Sequence, residues 1–454
     1  MKYVTALEPF VDSFDIPAGY LDWARFGPLS PSVRAEMHAD AELLGTGRAS
    51  GIDLVASRVG EARDLVARLL DCPTDEIVLQ PSTTHGLAHA MFGLEGTVIV
   101  PAQDFPAVRV TAHRAAALRS DATGGGLAVR EIDPEGGIVT VDAVADALND
   151  DVTAVALSLV DFRTGALADL AGIREVIGDR LLIVDAIQAF GVVDIDWSVA
   201  DVVTGNGYKW LRAGRGTGFA RFSPHARERI APVLSGISGM SGDAMSLGAP
   251  APLSGAGAYS IAPSDPLAAS RLAASLREIV DAGVADVAAE VRARADDVVA
   301  LADRYEVPIL TPRSAHAGIV ALAPSDPPVL AAALANHGVT VTARGTSIRV
   351  SAHAGTGADT LRLLGDALAD AQAAGRVVAV EFARDELGAE PDMPEIITID
   401  PDAHDADDLP ASFADAAPAA DTDEIVLAVV DTDTAGVETH AEATETSPAR
   451  SAEN

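Results

Sequence analysis

One carboxylate and one amine stand out in this sequence because of their types and their spacing. Asp185 lies in the segment VDAIQ, and Lys209 follows 24 residues later in the segment GYKWL. Of the 32 basic residues only Lys2 and Lys209 are lysines, and the rest are arginines. Arginine keeps its proton near neutral pH and cannot serve as a nucleophilic amine. Lys209 is therefore the candidate for amine chemistry, with Asp185 as its candidate partner.

The elements around these two residues would bring them to one edge of a sheet. Leu181–Val184 and Asp201–Thr204 are predicted as buried strands, and amphipathic helical stretches alternate with such runs from about residue 55 to residue 222. The alternation predicts an α/β fold with a mostly parallel sheet flanked by helices. Asp185 and Lys209 are one strand-to-strand crossover apart, so both would emerge at the carboxyl ends of strands, where ligands bind in such sheets.

Pyridoxal phosphate (PLP) is a cofactor that needs this pair of groups. An amine holds its aldehyde as an imine, and a carboxylate keeps its ring nitrogen protonated so that the ring can accept electrons. Gln188, three residues after Asp185, is a candidate donor to the ring oxygen. Taken separately, Asp185 is equally well explained as a helix N-cap and Lys209 as a solvated surface lysine. Their combination in this order favours the cofactor.

The segments VDAIQAFGVVDID and ADVVTGNGYKWLRAGRGTGF resemble the core of class V aminotransferases, and the likeness covers roughly residues 18–375. This fold-type-I PLP group includes cysteine desulfurases and kynureninases. The resemblance implies that Lys209 is the Schiff-base lysine, Asp185 the partner of the pyridine nitrogen and Gln188 the ring-oxygen donor. It also implies a homodimer, with the Gly/Ser/Ala/Pro-rich loop Ser235–Asp265 as a candidate interface.

The same resemblance suggests five further site residues. Thr83 and Thr84 follow a predicted strand and open a helix, which suits a phosphate, although an ordinary helix cap explains them as well. Phe105, in Asp-Phe-Pro, would stack on the pyridine ring, with a buried core aromatic as the alternative. Tyr208 would donate its hydroxyl to the phosphate. Arg349 would hold the substrate α-carboxylate through its planar fork, although the usual Tyr-Asn pair after it is missing.

The reaction itself stays open at this level. Class V aminotransferase activity on an amino-acid substrate is the family default, and a C–S lyase, a kynureninase-like hydrolase or an epimerase would use the same residues. A persulfide-forming desulfurase is disfavoured because no cysteine lies between Val339 and Arg349, and the single cysteine, Cys72, is predicted as a small core residue. A nicotinamide oxidoreductase would need a GxGxxG motif near the first strand, which is missing. A catalytically inactive binding protein remains a third class.

Composition excludes several other classes of protein. The chain has 454 residues, of which 48% are hydrophobic and 22% charged, and its 67 acidic residues against 32 basic ones give a net charge of -35. Nucleic acids and anionic membranes attract basic proteins, so neither is an expected partner. One cysteine allows neither a disulfide framework nor a multi-cysteine metal site, and we predict no metal. No segment reaches membrane-spanning length, and a cytoplasmic location is expected.

The sequence pattern predicts three regions. Residues 18–235 would form a large PLP-binding domain, and residues 236–386 a smaller α+β C-terminal domain on which residues 1–17 could pack. Within this smaller domain we predict one long helix over Pro266–Tyr305 and strands at Thr340–Val341 and Ser347–Ser351. Residues 387–454 carry 18 acidic residues and one basic residue and lack periodicity, which predicts a disordered acidic tail.

Overall fold

The computed structural model describes residues 6–119, 126–243, 245, 248, 250–385 and 425–426. The predicted acidic tail lies outside the described residues except for its short segment Ile425–Val426. Within the described ranges, no helix combines the length and the apolar character that crossing a membrane requires.

Strands and helices alternate through most of the described chain. The strands are β1 Ile77–Gln80, β2 Gly96–Pro101, β3 Leu127–Ile132, β4 Val152–Ser158, β5 Leu181–Asp185, β6 Val202–Asn206, β7 Gly218–Phe222, β8 Ile319–Leu322, β9 Thr342–Arg344, β10 Ser347–Ser351 and β11 Ile425–Val426. The helices are α1 Leu7–Asp12, α2 Pro31–Gly45, α3 Ala49–Ala56, α4 Arg58–Leu69, α5 Thr83–Gly93, α6 Pro106–Arg119, α7 Val141–Ala147, α8 Leu170–Ile177, α9 Pro224–Arg229, α10 Pro266–Ala282, α11 Val284–Arg304, α12 Pro327–Asn336 and α13 Ala358–Asp385.

Seven strands form the large sheet, in the order β1-β7-β6-β5-β4-β2-β3. β3, β2, β4, β5 and β6 run parallel, whereas β7 pairs antiparallel with both β6 and β1. The predicted α/β class with a mostly parallel sheet is confirmed. The sequence analysis assigned no strand to β3 or to β7, which begins within a glycine-rich run.

Both faces of the large sheet are buried under helices. In β5, Leu182 and Val184 join one apolar cluster with residues of α4, α8 and α10, while Leu181 and Ile183 join a second cluster with residues of α5 and α6. Alternate side chains of a strand point to opposite faces, so a strand covered on both sides is apolar throughout. This packing makes the central strands rigid supports for the residues that follow them.

A smaller antiparallel sheet, in the order β11-β9-β10-β8, is packed with α11, α12 and α13. The predicted single helix over Pro266–Tyr305 is wrong, because α10 ends and α11 begins around Gly283, whose φ of +85° favours glycine. The predicted strand at Thr340–Val341 begins instead at Thr342. β11 pairs through Ile425 and Val426 with β9. The expected smaller α+β part of the fold is confirmed.

Candidate active site

Polar residues lie at the ends of neighbouring strands along one edge of the large sheet. β5 ends at Asp185, β4 at Ser158 and β6 at Asn206, and Asp104 follows β2 three residues after its end. The parallel register sets Ser158 beside Asp185 and Asp185 beside Thr204. This is the edge at which the sequence analysis predicted the site, because parallel strands present their carboxyl ends together.

Asp185 is a buried carboxyl group in surroundings that disfavour its charge. It is 2% exposed, and its Oδ1 accepts a hydrogen bond of 2.9 Å from the backbone N–H of Ile187. Burial raises the pKa of Asp185 to about 7; the carboxylate of Asp104 also raises it, and Lys209 lowers it. A cation held against Asp185 would favour the charged form. The protonated ring nitrogen of PLP is such a cation.

Asp104 fixes the start of the loop that carries Phe105. Its two carboxylate oxygens accept hydrogen bonds from the Ser158 backbone N–H at 2.7 Å, the Ser158 hydroxyl at 2.6 Å and the Phe105 backbone N–H at 2.6 Å. Burial raises the pKa of Asp104, and these donors lower it. Asp104 therefore ties the end of β4 to the loop before α6.

The turn that carries Lys209 is held tightly from two sides. The Gly207 N–H donates to the Thr217 carbonyl at 3.1 Å, which closes the base of the turn. From the N-terminal region, the Gly27 N–H donates to the Tyr208 carbonyl at 2.8 Å. A Cβ atom on Gly27 would lie 1.9 Å from the Lys209 carbonyl oxygen, so any side chain there would displace the turn. Lys209 itself is 6% exposed.

Gln188 is oriented by a residue of the lysine turn. The indole Nε1–H of Trp210 donates to Gln188 Oε1 at 2.8 Å, so Gln188 Nε2 is the donor to the Ala24 carbonyl at 3.0 Å. The Trp210 carbonyl in turn accepts from Nε2 of His353 at 2.8 Å. The backbone N–H of Ala354 donates to His353 Nδ1, so the Nε2 atom carries the proton, and burial lowers the His353 pKa to about 3.

Two aromatic rings lie near the Lys209 amine, and a third packs against one of them. The Lys209 Nζ lies 5.8 Å from the ring centroid of Phe105 and 5.6 Å from that of Tyr208. The Phe105 ring meets the Phe162 ring edge-to-face, with centroids 5.2 Å apart and an angle of 81° between the planes. Phe105 is half-buried, so part of its side chain is accessible. Its position suits the predicted stacking role.

The start of α5 lies at the same edge and suits an anion. Ser82 caps the helix by accepting from the His85 backbone N–H, and Thr83 and Thr84 form the first turn. Thr83 is 5% exposed, and its buried Oγ1 has no hydrogen-bond partner among the described residues. A buried hydroxyl without a partner costs free energy, and a phosphate oxygen would satisfy it. Thr84 beside it is exposed.

Arg349 reaches this edge from the small sheet. It is 2% exposed, and its Nη1 donates to the Phe162 carbonyl at 3.1 Å. Its Nη2 donates to Thr342 Oγ1 at 3.2 Å and lies 3.5 Å from Oδ1 of Asp22, a buried carboxyl group. Asp22 thus supplies a counter-charge from the N-terminal segment, which keeps a buried guanidinium acceptable.

The structure brings most of the predicted site residues to one region. The Lys209 amine lies near the rings of Phe105 and Tyr208, and Phe105 is connected through Phe162 to Arg349. The sequence analysis assigned no role to five residues that support them. No local pattern marks these residues, which are Asp22, Asp104, Ser158, Trp210 and His353.

Comparison with known proteins decides the family. The model of the family "Aminotransferase class-V" matches residues 51–363, more than half of the chain. The chain belongs to this family. The class-V resemblance of the two core segments is thereby confirmed, and so is the fold type: the fold is shared with a solved protein that carries PLP, at a TM-score of 0.71 and 18% identity.

The proteins that this chain is similar to carry several names. A probable cysteine desulfurase of Methanothermobacter thermautotrophicus is 29% identical over 228 residues, which cover 48% of this chain and 56% of that protein. A kynureninase of Burkholderia mallei is 25% identical over 49% of this chain and 56% of its own length. A solved cystine C–S lyase with cysteine persulfide has a TM-score of 0.70 at 18% identity, covering 80% and 99% of the two chains. The chain spans about half the length of the curated relatives it matches.

Proposed function

We propose that this class-V family member is a PLP-dependent C–S lyase that acts on a cysteine-derived amino acid. The observation that carries the proposal is the buried Lys209 at the sheet edge that also presents Asp185, in a chain that is similar to a probable cysteine desulfurase and shares its fold with a cystine C–S lyase. Aminotransferase activity, the family default, has less support, because the names of these similar proteins favour the alternative of C–S bond cleavage.

The residues at the site fit the cofactor. Asp185 would hold the ring nitrogen with the carboxylate oxygen that Ile187 does not use, and Gln188 would donate from Nε2 to the ring oxygen. Thr83 and Thr84, at the start of α5, would hold the phosphate, and the partnerless Thr83 hydroxyl supports this assignment. Phe105 would pack on the ring face. Tyr208, half-buried beside Lys209, is the further phosphate donor that we propose.

Several residues of this chain would each have a separate role in one elimination reaction. The bound cofactor supplies an electron-accepting ring that stabilises negative charge at the substrate Cα. Arg349 would bind the substrate α-carboxylate through its guanidinium, and Asp22 holds that guanidinium in place. The Lys209 amine would remove the proton from Cα. The turn around Lys209 excludes bulk water, since the lysine is almost fully buried.

The overall reaction balances without an external oxidant or reductant. The Cα–H and Cβ–S bonds of the substrate break, the sulfur leaves with its electron pair, and the proton from Cα replaces the carbon on sulfur. One water enters the remaining three-carbon fragment, which is released as pyruvate and ammonium. A free thiol is therefore the second product.

The chain offers no thiol to receive the sulfur at the site. Its one cysteine, Cys72, is half-buried next to the end of α4, and burial raises the Cys72 pKa to about 11, which disfavours the reactive thiolate. Transfer of sulfur to a cysteine of the enzyme, as a persulfide, is therefore not part of the proposal. The sulfur leaves with the product instead.

Product analysis of the cofactor-loaded protein tests the reaction. With an S-substituted L-cysteine we expect thiol and pyruvate in equal amounts, since one Cβ–S bond breaks for each pyruvate formed. Transamination would instead give a keto acid that retains sulfur and would require an amino acceptor. Alanine release from kynurenine would indicate the hydrolase alternative. Either of these outcomes, without thiol release, overturns the lyase proposal.

We propose that two copies of this chain form the working enzyme. Ile237, Leu253 and Ile261 of the Ser235–Asp265 segment are 64%, 39% and 50% exposed. Ile261 also lines a cavity of about 480 Å³ that reaches the start of α5 at His85. Exposed apolar side chains beside such a cavity favour burial against a partner.

The mass in solution tests the dimer. Light scattering should give about twice the 46.5 kDa chain mass. The double variant Ile237→Asp/Ile261→Asp should shift the protein toward the monomer, because charges would be buried in the interface. Leu118→Asp, an exposed apolar position on α6 at 69% exposure, is the matched control. A monomeric mass for the unaltered protein contradicts the proposal.

A further inference from the structure

Two arginines of the small sheet lie on the same face. In the antiparallel pair β9–β10, Thr342 is opposite Arg349 and Arg344 is opposite Ser347. Residues two apart in a strand point to the same side, and so do directly opposed residues of two strands. The 3.2 Å hydrogen bond between Arg349 and Thr342 confirms this for the first pair. Arg344 therefore points to the side on which Arg349 meets the candidate active site.

Both guanidinium groups converge on Phe162. The Arg344 Cζ atom lies 4.8 Å from the Phe162 ring centroid, and Arg349 Nη1 binds the Phe162 carbonyl at 3.1 Å. Phe162 packs edge-to-face on Phe105, whose ring centroid is 5.8 Å from the Lys209 Nζ. Arg344 thus lies on the wall of the lysine site, one aromatic ring further out than Phe105.

A third arginine near this ring has a different role. The Arg163 Cζ atom is 6.0 Å from the Phe162 centroid, but Arg163 Nη2 is paired with the Asp161 carboxylate at 2.9 Å and donates to the Gly137 carbonyl. Arg163 braces its own loop. Arg344 is half-buried on a β-strand of the opposing sheet, a rigid support for a side chain that recognises a ligand.

The negative charge of the chain affects how an acidic ligand could bind near Arg344. A net charge of -35 repels anions at long range, so a site that accepts an acid needs cations close by. Arg349 is assigned to the substrate α-carboxylate in the function proposed above. Arg344 provides a second guanidinium on the same face, with a planar fork suited to an oxyanion.

We propose that Arg344 binds a second anionic group at the far end of the substrate. The inference rests on the proposed C–S lyase function and specifies its substrate class: an S-substituted cysteine whose sulfur substituent carries a carboxylate or a similar acid. Arg349 binds the α-carboxylate near Lys209, and Arg344 binds the distal acid beyond Phe162. The rings of Phe105 and Phe162 lie along the sulfur substituent, between the α-carboxylate and the distal acid.

A matched pair of probes tests the second anion site. S-carboxymethyl-L-cysteine and S-carbamoylmethyl-L-cysteine have nearly the same shape and differ in the distal charge. Each is titrated into the full-length, PLP-loaded protein, and the change in the cofactor absorbance band reports binding without relying on turnover. We expect the acid to bind about tenfold or more tightly than the amide, the scale of one charge-assisted hydrogen bond.

Three variants test whether Arg344 causes the preference for the acid over the amide. Arg344→Met keeps an aliphatic side chain over Phe162 but removes the charge, and the ratio of the two dissociation constants should fall to about one. Arg344→Lys should retain part of the preference, because the charge remains without the fork. Arg362→Gln removes one positive charge from the exposed face of α13 and should leave the ratio unchanged. Since each ratio is measured within one protein, partial loss of folded material does not alter it.

The outcomes separate this inference from the proposed function. Equal affinities for acid and amide in the unaltered protein, or a preference that persists in Arg344→Met, overturn the second anion site while the lyase proposal stands. A protein that binds PLP but whose absorbance responds to neither probe overturns both. Preference for the acid that is lost in Arg344→Met and kept in Arg362→Gln supports the inference.

Discussion

Lys209→Ala is expected to abolish both covalent cofactor capture and thiol release. Borohydride reduction of the loaded parent protein should leave a pyridoxyl mass on the peptide that contains Lys209. The variant should carry no such mass, because alanine has no amine to bond with the aldehyde. Thiol release should fall by more than about a thousandfold, since general acid–base help alone contributes about 10²–10⁴-fold and the variant loses the covalent bond as well.

The second lysine of the chain provides the control for this experiment. Lys2 is the second of its two lysines, so Lys2→Ala leaves Lys209 as the sole side-chain amine. That variant should retain the label on the Lys209 peptide and the rate of thiol release. A pyridoxyl mass on any other peptide of the parent protein, with the Lys209 peptide unlabelled, would contradict the assignment. Full activity in Lys209→Ala would do the same.

Asp185→Asn is expected to stabilise the cofactor-free protein at alkaline pH while damaging the loaded enzyme. Burial raises the pKa of Asp185 from 3.8 to about 7. The stabilising contribution of the protonated carboxyl is therefore complete below about pH 4 and is lost as the pH rises to about 7. Asparagine has a similar shape and no charge, so above pH 7 the variant should have a larger free energy of unfolding, by a few kcal/mol on the scale of ~1.4 kcal/mol for each pKa unit.

Cofactor binding should reverse the stability advantage of Asp185→Asn over the parent protein. In the loaded parent, a protonated ring nitrogen held against the Asp185 carboxylate would lower the pKa of Asp185 and would remove the loss of stability between pH 4 and pH 7. The variant cannot supply that charge, and thiol release should fall by about tenfold to a hundredfold, the scale of a lost charge-assisted hydrogen bond. Unfolding by urea at pH 5 and pH 8, with and without PLP, measures both halves of the prediction.

An exposed aspartate serves as the control for the pH series. Hydrogen bonds from Ser198 lower the pKa of Asp196, which caps a short turn at the surface. Its charged form therefore contributes stability above about pH 4, and that contribution is lost as the pH falls further. Asp196→Asn should gain no stability at pH 8. If cofactor-free Asp185→Asn is also no more stable than its parent at pH 8, burial does not disfavour the Asp185 carboxylate, and the prediction is contradicted.

The chemistry of the site is largely encoded in local sequence. The segments around Asp185, Gln188 and Lys209 carry their own strand, turn and residue types, so spacing alone predicts that the carboxylate and the amine share a sheet edge. The strands that precede them, β5 and β6, begin and end within two residues of the prediction. Apolar runs bounded by turns are short-range signals, which is why these elements could be predicted.

Features that depend on a balance between neighbouring elements were harder to predict. β7 begins in a run of glycines that predicts a loop. It nevertheless forms a strand, which lies between β1 and β6 and pairs with both. The break at Gly283 lies in an alanine-rich pattern that continues on both sides of it. For β7 tertiary packing overrides a weak local preference, whereas at Gly283 a single glycine with a positive φ ends one helix within a pattern that otherwise favours its continuation.

By itself the sequence determined the α/β class, the family and the identity of the lysine and the carboxylate on which the proposed chemistry depends. Only the tertiary structure decided how these groups are supported: Asp22 meets Arg349 across 327 residues, and Trp210 orients Gln188. Only the tertiary structure brought Arg344 to the ring of Phe162. The physical reason is separation along the sequence. Strand and helix patterns depend on neighbouring residues, whereas contacts between distant segments form only when the sheets and helices pack together.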